Sequence, residues 1–491
     1  MKKSTDLVLE YFTELSRIPR QSGQEAGVRE WLKSWAGKHN FTFHADKVGN
    51  VVVEVPATPG HESAAPIALQ GHMDMVCEKT PDSTHDFTRD PIIPRRDGEW
   101  LTADRTTLGA DNGIGMALSM AAATAPDLSH GRMELLFTVD EETGLIGATE
   151  FQAELLTARI LINIDSDLEG VFTVGCAGGR NTEVELPVTY RKSGPDGVAV
   201  TISIAGLRGG HSGVNIAEVR GNANVLLARV VQRCIERYGA SVASFSGGSA
   251  HNAIARDAEA LIVVDEIREH AHFLKEVAKE VAAWQETFRG ELRDAEPAIT
   301  VTVKQSGRPE RTFDEASSRK LVDLVLALPH GVIRMSPVIA ALVQTSTNLA
   351  SVRTESAAQG STGKVNILTS QRSLSMSELD AATGAVSAVA RLAGAVANTN
   401  SSYPSWEPRT DSPLLTRSVA TYRELFGREP VVDVIHAGLE CGVIGSKVPG
   451  MDMISFGPTI TGAHSPVERL HVPAVEKVWQ FLCALTESLG S

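Results

Sequence analysis

The 491-residue chain is too long for a single hydrophobic core, and its length predicts two to four domains. Its 42% hydrophobic and 22% charged residues are typical of an ordinary globular protein. The formal net charge of -14 argues against nucleic acid and anionic membranes as partners, because both favour a basic surface.

The cysteines and the start of the chain bear on the cellular compartment. The five cysteines include no Cys-x-x-Cys pair, which argues against a disulfide framework or a zinc ribbon and favours a reducing compartment. The first residues lead into an amphipathic pattern rather than the apolar run of a signal peptide. No stretch approaches the roughly 20 apolar residues of a membrane span. The sequence therefore predicts a cytoplasmic protein with no membrane partner.

Up to about residue 170, helical and strand-like patterns alternate. Apolar residues at helical spacing predict helices at 5–18, 25–37 and 113–125. Short apolar runs predict buried strands at 51–55, 67–70, 135–139 and 160–164. Residues 79–99, rich in Pro, Asp and Arg, predict a surface loop. This alternation indicates a doubly wound α/β sheet.

The pattern changes after Gly178-Gly179 to an alternation of polar and apolar residues. It predicts strands with one solvated face at 184–188 and 198–204. Helices are predicted at 217–237, 270–289 and 314–328, and further strands at 261–265, 299–304 and 364–370. The order β-α-β-β-α-β occurs about twice between 186 and 395, which predicts an inserted α+β lid of two ferredoxin-like halves.

The last part of the chain returns to the first pattern. Residues 399–413, with many Ser, Pro and Asn, predict a linker. Helices are predicted at 414–426 and 473–489, and strands at 431–435 and 452–456. The sequence thus predicts a mixed-sheet α/β domain formed by 1–185 and 396–491, with 186–395 inserted as a lid.

Five apolar, strand-like segments stop at residues that are able to bind a metal. In chain order these residues are His72, Asp111, Glu142, Asp165 and His464. Strand ends line the crevice of an open α/β sheet, so residues far apart in sequence can converge there. Any one of them could be an ordinary turn or cap residue, but five in order favour a shared metal site.

The order of these segments resembles the M20 family of dinuclear zinc peptidases over nearly the whole chain. Segments 107–115 (Thr-Leu-Gly-Ala-Asp-Asn-Gly-Ile-Gly), 436–442 and 462–466 are similar to the aminoacyl-histidine dipeptidase branch rather than to the deacylases of the family. Arg105 departs from the pattern, because a glycine is expected before the double threonine. The resemblance implies that 1–185 and 396–491 form the catalytic domain, and that the lid also joins two copies into a homodimer.

The resemblance also implies a set of metal ligands. His72 and Asp165 would bind one zinc, Glu142 and His464 the other, and Asp111 with a bridging water would join them. Co²⁺ and Mn²⁺ suit such ligands as well. Three carboxylates and a hydroxide would balance two divalent cations. A cis peptide bond is implied between Asp111 and the following asparagine.

Two carboxylates beside the ligands are assigned supporting or catalytic roles. Asp74, two residues after His72 on an extended chain, could hold the other nitrogen of that imidazole. Adjacent glutamates on a strand point to opposite faces, so both can serve one site only where a turn begins, and Thr143-Gly144 predicts that turn. The resemblance assigns Glu142 to the metal and Glu141 to the water as general base.

Three lid residues complete the implied machinery. His211 matches a histidine that stabilises the tetrahedral oxyanion. Asn252 resembles a substrate-binding asparagine, and Arg372 an arginine that clamps a C-terminal carboxylate. Further candidates remain open: His251, Arg334 and Arg353 as alternatives, His436 and Glu440 for the specificity pocket or for support of the ligands, and Cys441 as buried packing.

The sequence therefore predicts a two-zinc enzyme that hydrolyses small dipeptides, including β-alanyl-histidine. One alternative is an N-acyl amino-acid deacylase that uses the same metals and Glu141. The other is a dimerising binding protein on this scaffold that has lost its metals. The intact ligands and Glu141 argue against the second alternative, because folding alone does not require a glutamate at that position.

Overall fold

The computed structural model describes residues 5–265, 267, 269–337, 339–355, 361–409 and 411–490. The chain divides into two compact units. The first contains residues 1–176, 406–435 and 439–491, and the second contains 177–405 and 436–438. The boundaries expected from sequence at 186 and 395 therefore differ from these by about ten residues, because the strands that open and close the second unit begin earlier and end later.

The N-terminal part of the first unit alternates helices and strands. Its helices are α1 (Asp6–Ser16), α2 (Ala26–Lys38), α3 (Ala110–Thr124) and α4 (Ile146–Glu150). Its strands are β1 (Thr42–Ala45), β2 (Val51–Val55), β3 (Ile67–His72), β4 (Arg95–Asp97), β5 (Trp100–Thr102), β6 (Met133–Thr138), β7 (Ile160–Asn163) and β8 (Val171–Cys176).

The second unit follows without a break. Its strands are β9 (Gly178–Lys192), β10 (Val198–Ala205), β11 (Ser241–Gly247), β12 (Ala258–Val264), β13 (Thr300–Ser306), β14 (Arg311–Phe313), β15 (Gly331–Met335), β16 (Val343–Thr354), β17 (Thr362–Ser373) and β18 (Val396–Tyr403). Its helices are α5 (Ala223–Tyr238), α6 (His270–Leu292), α7 (Glu315–Ala327) and α8 (Met376–Leu392).

The C-terminal part returns to the first unit. It contains helices α9 (Pro413–Phe426), α10 (Glu440–Lys447) and α11 (Val472–Leu489), and strands β19 (Val431–Ile435), β20 (Asp452–Ser455), β21 (Ile460–Thr461) and β22 (Arg469–His471). Among the described residues, no helix combines the length and the apolar character needed to cross a membrane.

Eight described strands of the first unit form a mixed sheet in the order β1-β2-β6-β3-β7-β20-β8-β19. The central strand β3 runs parallel to both β6 and β7, and all six of its residues are buried. A strand covered on both faces is selected for a continuous apolar run. Since parallel strands end at the same edge, β3, β6 and β7 direct the residues that follow them to one place.

The core of the first unit packs helices against this sheet. Phe12 of α1, Phe137 of β6 and Trp479 of α11 are each at most 1% exposed. The ring centroids of Phe172 and Phe481 lie 4.9 Å apart and stack α11 on β8. Fully burying one such side chain stabilises the fold by about 1.5–3 kcal/mol, so these contacts hold the strand ends rigidly.

Strands of the second unit form one antiparallel sheet in the order β13-β10-β12-β11-β16-β17-β9-β14, with β15 on β16 and β18 on β9. The first strand of the unit, β9, pairs with β17 and β18, which are the last two strands of the unit in chain order. The group β10-α5-β11-β12-α6-β13 is therefore inserted between strands that are neighbours in space. The two predicted β-α-β-β-α-β groups are therefore not arranged one after the other along the chain, because β9 and its partners β17 and β18 enclose the group from β10 to β13.

Two sequence-based predictions for the second unit are wrong. Residues 399–403 were expected in a linker, but they lie in β18 and pair with β9. Their Asn and Ser side chains indicated a loop, whereas cross-strand pairing at a sheet edge decides their conformation. The helix expected from 217 begins only at Ala223, because the Asn222 side chain caps the N–H groups of Asn224 and Val225.

Candidate metal centre and substrate-binding residues

The two carboxylate oxygens of Asp111 face two different histidines. Its Oδ1 lies 2.9 Å from Nε2 of His72, which is also 3.5 Å from Oδ1 of Asp165. Its Oδ2 lies 3.2 Å from Nε2 of His464, which is 3.1 Å from Oε2 of Glu142. The five residues predicted as ligands therefore form two groups, and both groups share Asp111.

These two groups fit a pair of metal ions. Ligand atoms about 2.1 Å from a tetrahedral zinc lie about 3.4 Å from one another, close to the separations seen here. The second oxygen of Glu142, Oε1, is buried and has no hydrogen-bond partner among the described residues. An unsatisfied buried carboxylate oxygen is costly unless a cation or a donor reaches it. The donor set of imidazole and carboxylate suits zinc, cobalt or manganese.

Asp111 lies in the irregular first turn of α3 and the loop that leads into it. Gly109 has a φ of 70° and the Asp111–Asn112 peptide is cis, as the family resemblance implied. Asp111 and Asn112 also depart from helical backbone angles, so the regular helix starts after them rather than at the ligand. Earlier in this loop, Arg105 has a φ of 60°, a region that favours glycine. The loop thus adopts the left-handed conformation there even with arginine.

The charges at this centre shift the pKa values of its members. Hydrogen bonds with Asp111 and Glu142 raise the pKa of His464 to about 11. Burial opposes protonation of His72, but the carboxylates of Asp165 and Asp111 outweigh burial and raise its pKa well above its ordinary value. Burial raises the pKa of Asp165 to about 6. Without metal, this centre retains protons that a metal ion would displace.

Asp74 supports both the histidine and the glutamate pair. Nδ1 of His72 lies 3.2 Å from the carbonyl oxygen of Asp74 and 3.3 Å from its Oδ1. The carboxylate also accepts hydrogen bonds from the N–H of Glu141, the N–H of Glu142 and the hydroxyl of Ser22. Although burial opposes ionisation, the contact with His72 helps lower the pKa of Asp74 to about 2. The ionised Asp74 carboxylate therefore holds both the His72 imidazole and the backbone of the Glu141–Glu142 turn in place.

Glu141 lies at the start of the turn that follows β6. Its carbonyl oxygen accepts hydrogen bonds from the N–H groups of Gly144 and Leu145, so the chain turns as expected from Thr143-Gly144. Burial raises the pKa of Glu141 well above its ordinary value, and Asp165 is among the carboxylates that add to this. The side chain is thus close to the proposed ligands and able to hold a proton.

Glu440 is fully buried in the first unit. One of its carboxylate oxygens accepts hydrogen bonds from the Gln70 amide at 2.6 Å and the Thr138 hydroxyl at 2.7 Å. Burial raises its pKa to about 8, and the negative charge of Asp165 adds to this effect. Its partners lie on β3 and β6, so Glu440 supports the strand ends. The Cys441 thiol beside it is also buried, as expected for packing.

In the second unit, His211 is held as one neutral tautomer. Its Nδ1 accepts hydrogen bonds from the N–H groups of Gly213 and Val214, at 3.2 and 3.1 Å. Burial lowers its pKa to about 4, with the charge of Arg372 adding to the effect. The proton of the neutral ring is therefore on Nε2. Asn252 is exposed, and its carbonyl accepts the N–H of the residue after His211.

Arg372 is buried in the second unit without a carboxylate partner among the described residues. Only 5% of it is exposed, and its guanidinium donates to the Tyr403 hydroxyl at 2.8 Å. Its Nε is buried without a partner in the described part of the chain. His436, which forms a 2.8 Å hydrogen bond with Ser346, belongs to the same unit, and burial lowers its pKa to about 3.

The alternative arginines are already engaged. Arg353 donates to the carbonyl oxygens of Gly247, Gly248 and its own neighbour Val352. Arg334 forms a 2.9 Å ion pair with Glu378 at the surface. Arg372 is consequently better suited to bind an anion. Tyr403 and Ser346 were not identified from sequence, since no motif marks a residue that contacts a functional side chain only in the folded chain.

The fold and these ligand groups define a metallopeptidase. The model of the peptidase family M20/M25/M40 matches residues 68–488, and the chain belongs to this family. M20 peptidases are metal-dependent, which agrees with the paired ligand groups around Asp111. The family assignment and the mixed α/β fold expected from sequence are confirmed.

Two relatives share more than a third of their residues with this chain. The cytosol non-specific dipeptidase of Escherichia coli (strain K12) is 38% identical over 479 residues, covering 97% of this chain and 96% of the relative. The crystal structure of aminoacylhistidine dipeptidase from Vibrio alginolyticus matches with a TM-score of 0.86 and 36% identity, over 99% of this chain and 97% of that one. The aminopeptidase PepT from Bacillus cereus, at 17% identity and a TM-score of 0.61 over 100% of both chains, shares the fold.

Proposed function

We propose that this protein hydrolyses unblocked dipeptides at a centre of two divalent metal ions. The arrangement around Asp111 carries the proposal, because each of its carboxylate oxygens faces one histidine of a separate ligand group. The names of both close relatives contain the word dipeptidase, which supports this substrate class. The expected substrates include dipeptides with a C-terminal histidine, such as β-alanyl-histidine.

The proposed ligands divide between the two ions. His72 and Asp165 hold one ion, Glu142 and His464 hold the other, and Asp111 is shared. We propose zinc, with Co²⁺ or Mn²⁺ as substitutes, because imidazole and carboxylate ligands suit all three. When bound, the ions supply polarisation of the peptide carbonyl and a lower pKa for the attacking water. Three carboxylates offset most of the charge of two divalent ions.

Glu141 acts as the general base in this proposal. Its neighbour Glu142 lies with Asp111 and His464, whereas half-buried Glu141 lies with His72 and Glu142 but away from Asp111, and its raised pKa lets it hold a proton. It would accept a proton from the attacking water and deliver it to the nitrogen of the leaving amino acid. Asp74 holds the backbone of this turn, because its carboxylate accepts the N–H groups of both glutamates.

Residues of the second unit contact the substrate in this proposal. The Nε2–H of neutral His211 donates to the oxyanion that develops on the scissile carbonyl. Arg372, whose guanidinium lacks an acidic partner among the described residues, binds the C-terminal carboxylate in a bidentate manner. Asn252, exposed beside His211, hydrogen bonds to the substrate backbone. The proposal requires that these side chains reach the same dipeptide as the metals.

Chain-length kinetics test the proposed function. A third residue would move the terminal carboxylate by about 3.5 Å from Arg372, so the specificity constant should fall from a dipeptide to its C-terminal extension. Arg372→Ala should raise KM for dipeptides, whereas Arg334→Ala, which removes an exposed arginine, should not. If an N-acetyl amino acid gave the highest specificity constant, the enzyme would be a deacylase instead.

We propose further that two copies associate through the second unit, in the cytosol. Strand β15 pairs on one side with β16, and three of its apolar residues are 38–50% exposed: Val332, Ile333 and Met335. An apolar edge strand favours pairing with another chain. Light scattering should give a molar mass of two chains for the wild-type protein. The Ile333→Lys variant should have the mass of a single chain. A monomeric wild-type protein would remove this proposal but not the proposed catalysis.

A further inference from the structure

Glu468 binds the backbone of the loop that carries Asp111. Its Oε2 accepts the N–H groups of Leu108 and Gly109 at 2.7 and 2.9 Å, and its Oε1 accepts those of Ala110 and Asp111 at 2.8 and 3.3 Å. The glutamate is only 3% exposed. Four consecutive amides directed at one buried carboxylate fix both the position and the orientation of this loop.

The same glutamate closes the loop that carries His464. Gly462 and His464 have left-handed backbone angles, with φ of 69° and 61°. Within this loop the N–H of Glu468 bonds to the carbonyl oxygen of Ser465 at 3.0 Å. Few residues other than glycine adopt such a conformation, and the surrounding structure must then hold it. Glu468, four residues later, therefore joins the loops of two proposed ligands, Asp111 and His464.

The other ligand group shares Asp111 but contains no residue of the His464 loop. His72 ends the buried strand β3 and is 1% exposed, whereas the side chain of His464 is 52% exposed. Arg20 holds the segment after His72, because its guanidinium donates to the carbonyl oxygens of Met73 and Asp74 at 3.0 Å, and it also donates to the carbonyl oxygen of Gly109 in the shared Asp111 loop. Apart from the shared Asp111, the His72 group is thus fixed by a strand and by Asp74, whereas Glu468 joins both loops on which the His464 group depends.

We propose that Glu468 is a positioning residue for the metal ion held by Glu142 and His464. This inference rests on the two-metal centre proposed above. Loss of the carboxylate frees the four amides and separates the Asp111 loop from the His464 loop. The affinity for this ion, which depends on both loops, therefore falls more than the affinity for the ion at His72 and Asp165, which depends on the Asp111 loop alone. Removing a group that orients metal ligands lowers metal affinity about 10–100-fold.

Calorimetric titration of the metal-free protein with Zn²⁺ tests this without peptide hydrolysis. Glu468→Gln should weaken one of two binding events by about 10–100-fold and the other by less than about tenfold. The matched control is Glu134→Gln. Glu134 is also fully buried, and it accepts the N–H groups of Thr157 and Ala158, but its hydrogen bonds do not involve the ligand loops. Both affinities of the control should match wild type.

A second variant identifies the ion that is lost. In a His464→Ala background, where this ion is already lost, Glu468→Gln should weaken the remaining ion by less than about tenfold, because only the shared Asp111 loop still depends on the carboxylate. A circular dichroism spectrum different from wild type would mean that Glu468→Gln does not fold. Glu468→Asp, which moves the carboxylate about 1.5 Å away from the amides, would then be titrated in its place. Equal weakening of both ions, or of neither, overturns the inference. A wild-type protein that bound fewer than two ions would instead contradict the proposed metal centre.

Discussion

The two units place histidine in opposite electrostatic surroundings. In the first unit, His464 contacts Asp111 and Glu142, and its pKa rises to about 11. In the second unit, burial lowers the pKa of His211 to about 4 and that of His436 to about 3. Histidines of the first unit thus hold protons that a metal ion can displace, whereas His211 and His436 of the second unit stay neutral near pH 7.

The difference comes from neighbouring charges rather than from burial alone. His72 is 1% exposed, yet its pKa is raised because Asp165, Asp111 and Asp74 outweigh the burial. His436 is 6% exposed, and its side-chain partner is the hydroxyl of Ser346. A buried imidazole is therefore a candidate metal ligand where carboxylates surround it, and a candidate neutral donor where they do not.

The largest effect expected in the first unit is that of Glu141→Gln. The amide keeps the shape of the side chain but cannot accept a proton, so kcat should fall about 10²–10⁴-fold while both metals remain. Steady-state kinetics and metal analysis of the same sample measure this. Glu150→Gln removes an exposed glutamate from α4 and should leave both properties unchanged. A near-normal rate at full metal content would contradict the role of Glu141 as base.

The matching change in the second unit is His211→Ala. Removing one oxyanion donor typically costs about 10²–10³ in kcat, and here metal content should not change, because His211 is not a proposed ligand. Since the pKa of His211 is lowered to about 4, its contribution should be constant above about pH 5. His272→Ala, at an exposed position of α6, is the control. Loss of metal from His211→Ala would indicate a role in the metal centre instead.

Much of the first unit could be predicted from sequence because its strands are buried on both faces. The apolar run expected at 67–70 is β3 at Ile67–His72, and that expected at 135–139 is β6 at Met133–Thr138. Continuous apolar runs identify such strands regardless of their partners. Four of the five ligands follow from the same pattern, since they come at or shortly after the end of a strand: His72, Glu142, Asp165 and His464. Asp111 does not, because no described strand precedes it directly and it lies at the start of α3.

Contacts made only in the folded chain could not be predicted in this way. Glu468 lies more than 350 positions from the amides that it binds, and its sequence context resembles that of many surface glutamates. Tyr403 lies in a Ser- and Asn-rich segment that indicated a linker, yet it ends β18 and contacts Arg372. Pairing across a sheet and burial of single polar side chains are tertiary effects, and local patterns do not encode them.

The smallest expected effect is a change in the free energy of unfolding in mild acid. It tests directly whether the histidines of the two units differ as described. A histidine with a lowered pKa is neutral when folded, so the unfolded chain takes up its proton first as pH falls below about 6.5. His211 and His436 therefore stabilise the second unit above pH 6.5, and this contribution is lost as pH falls towards 4 and 3. For the well-buried His436 the loss is at most about 1.4 kcal/mol per pH unit.

The metal-free first unit should respond in the opposite direction over the same range. Burial raises the pKa of Glu440 to about 8 and that of Asp165 to about 6, so the folded form binds protons before the unfolded form, and stability rises as pH falls from about 8 towards 4. Hydrogen exchange of the metal-free protein at pH 7 and pH 5, corrected for intrinsic rates, measures both units in one sample. Protection should fall in β16 and rise in β3, and His436→Gln should reduce the fall in β16. If protection changed in the same direction in β3 and β16, neighbouring charges would not distinguish the histidines of the two units.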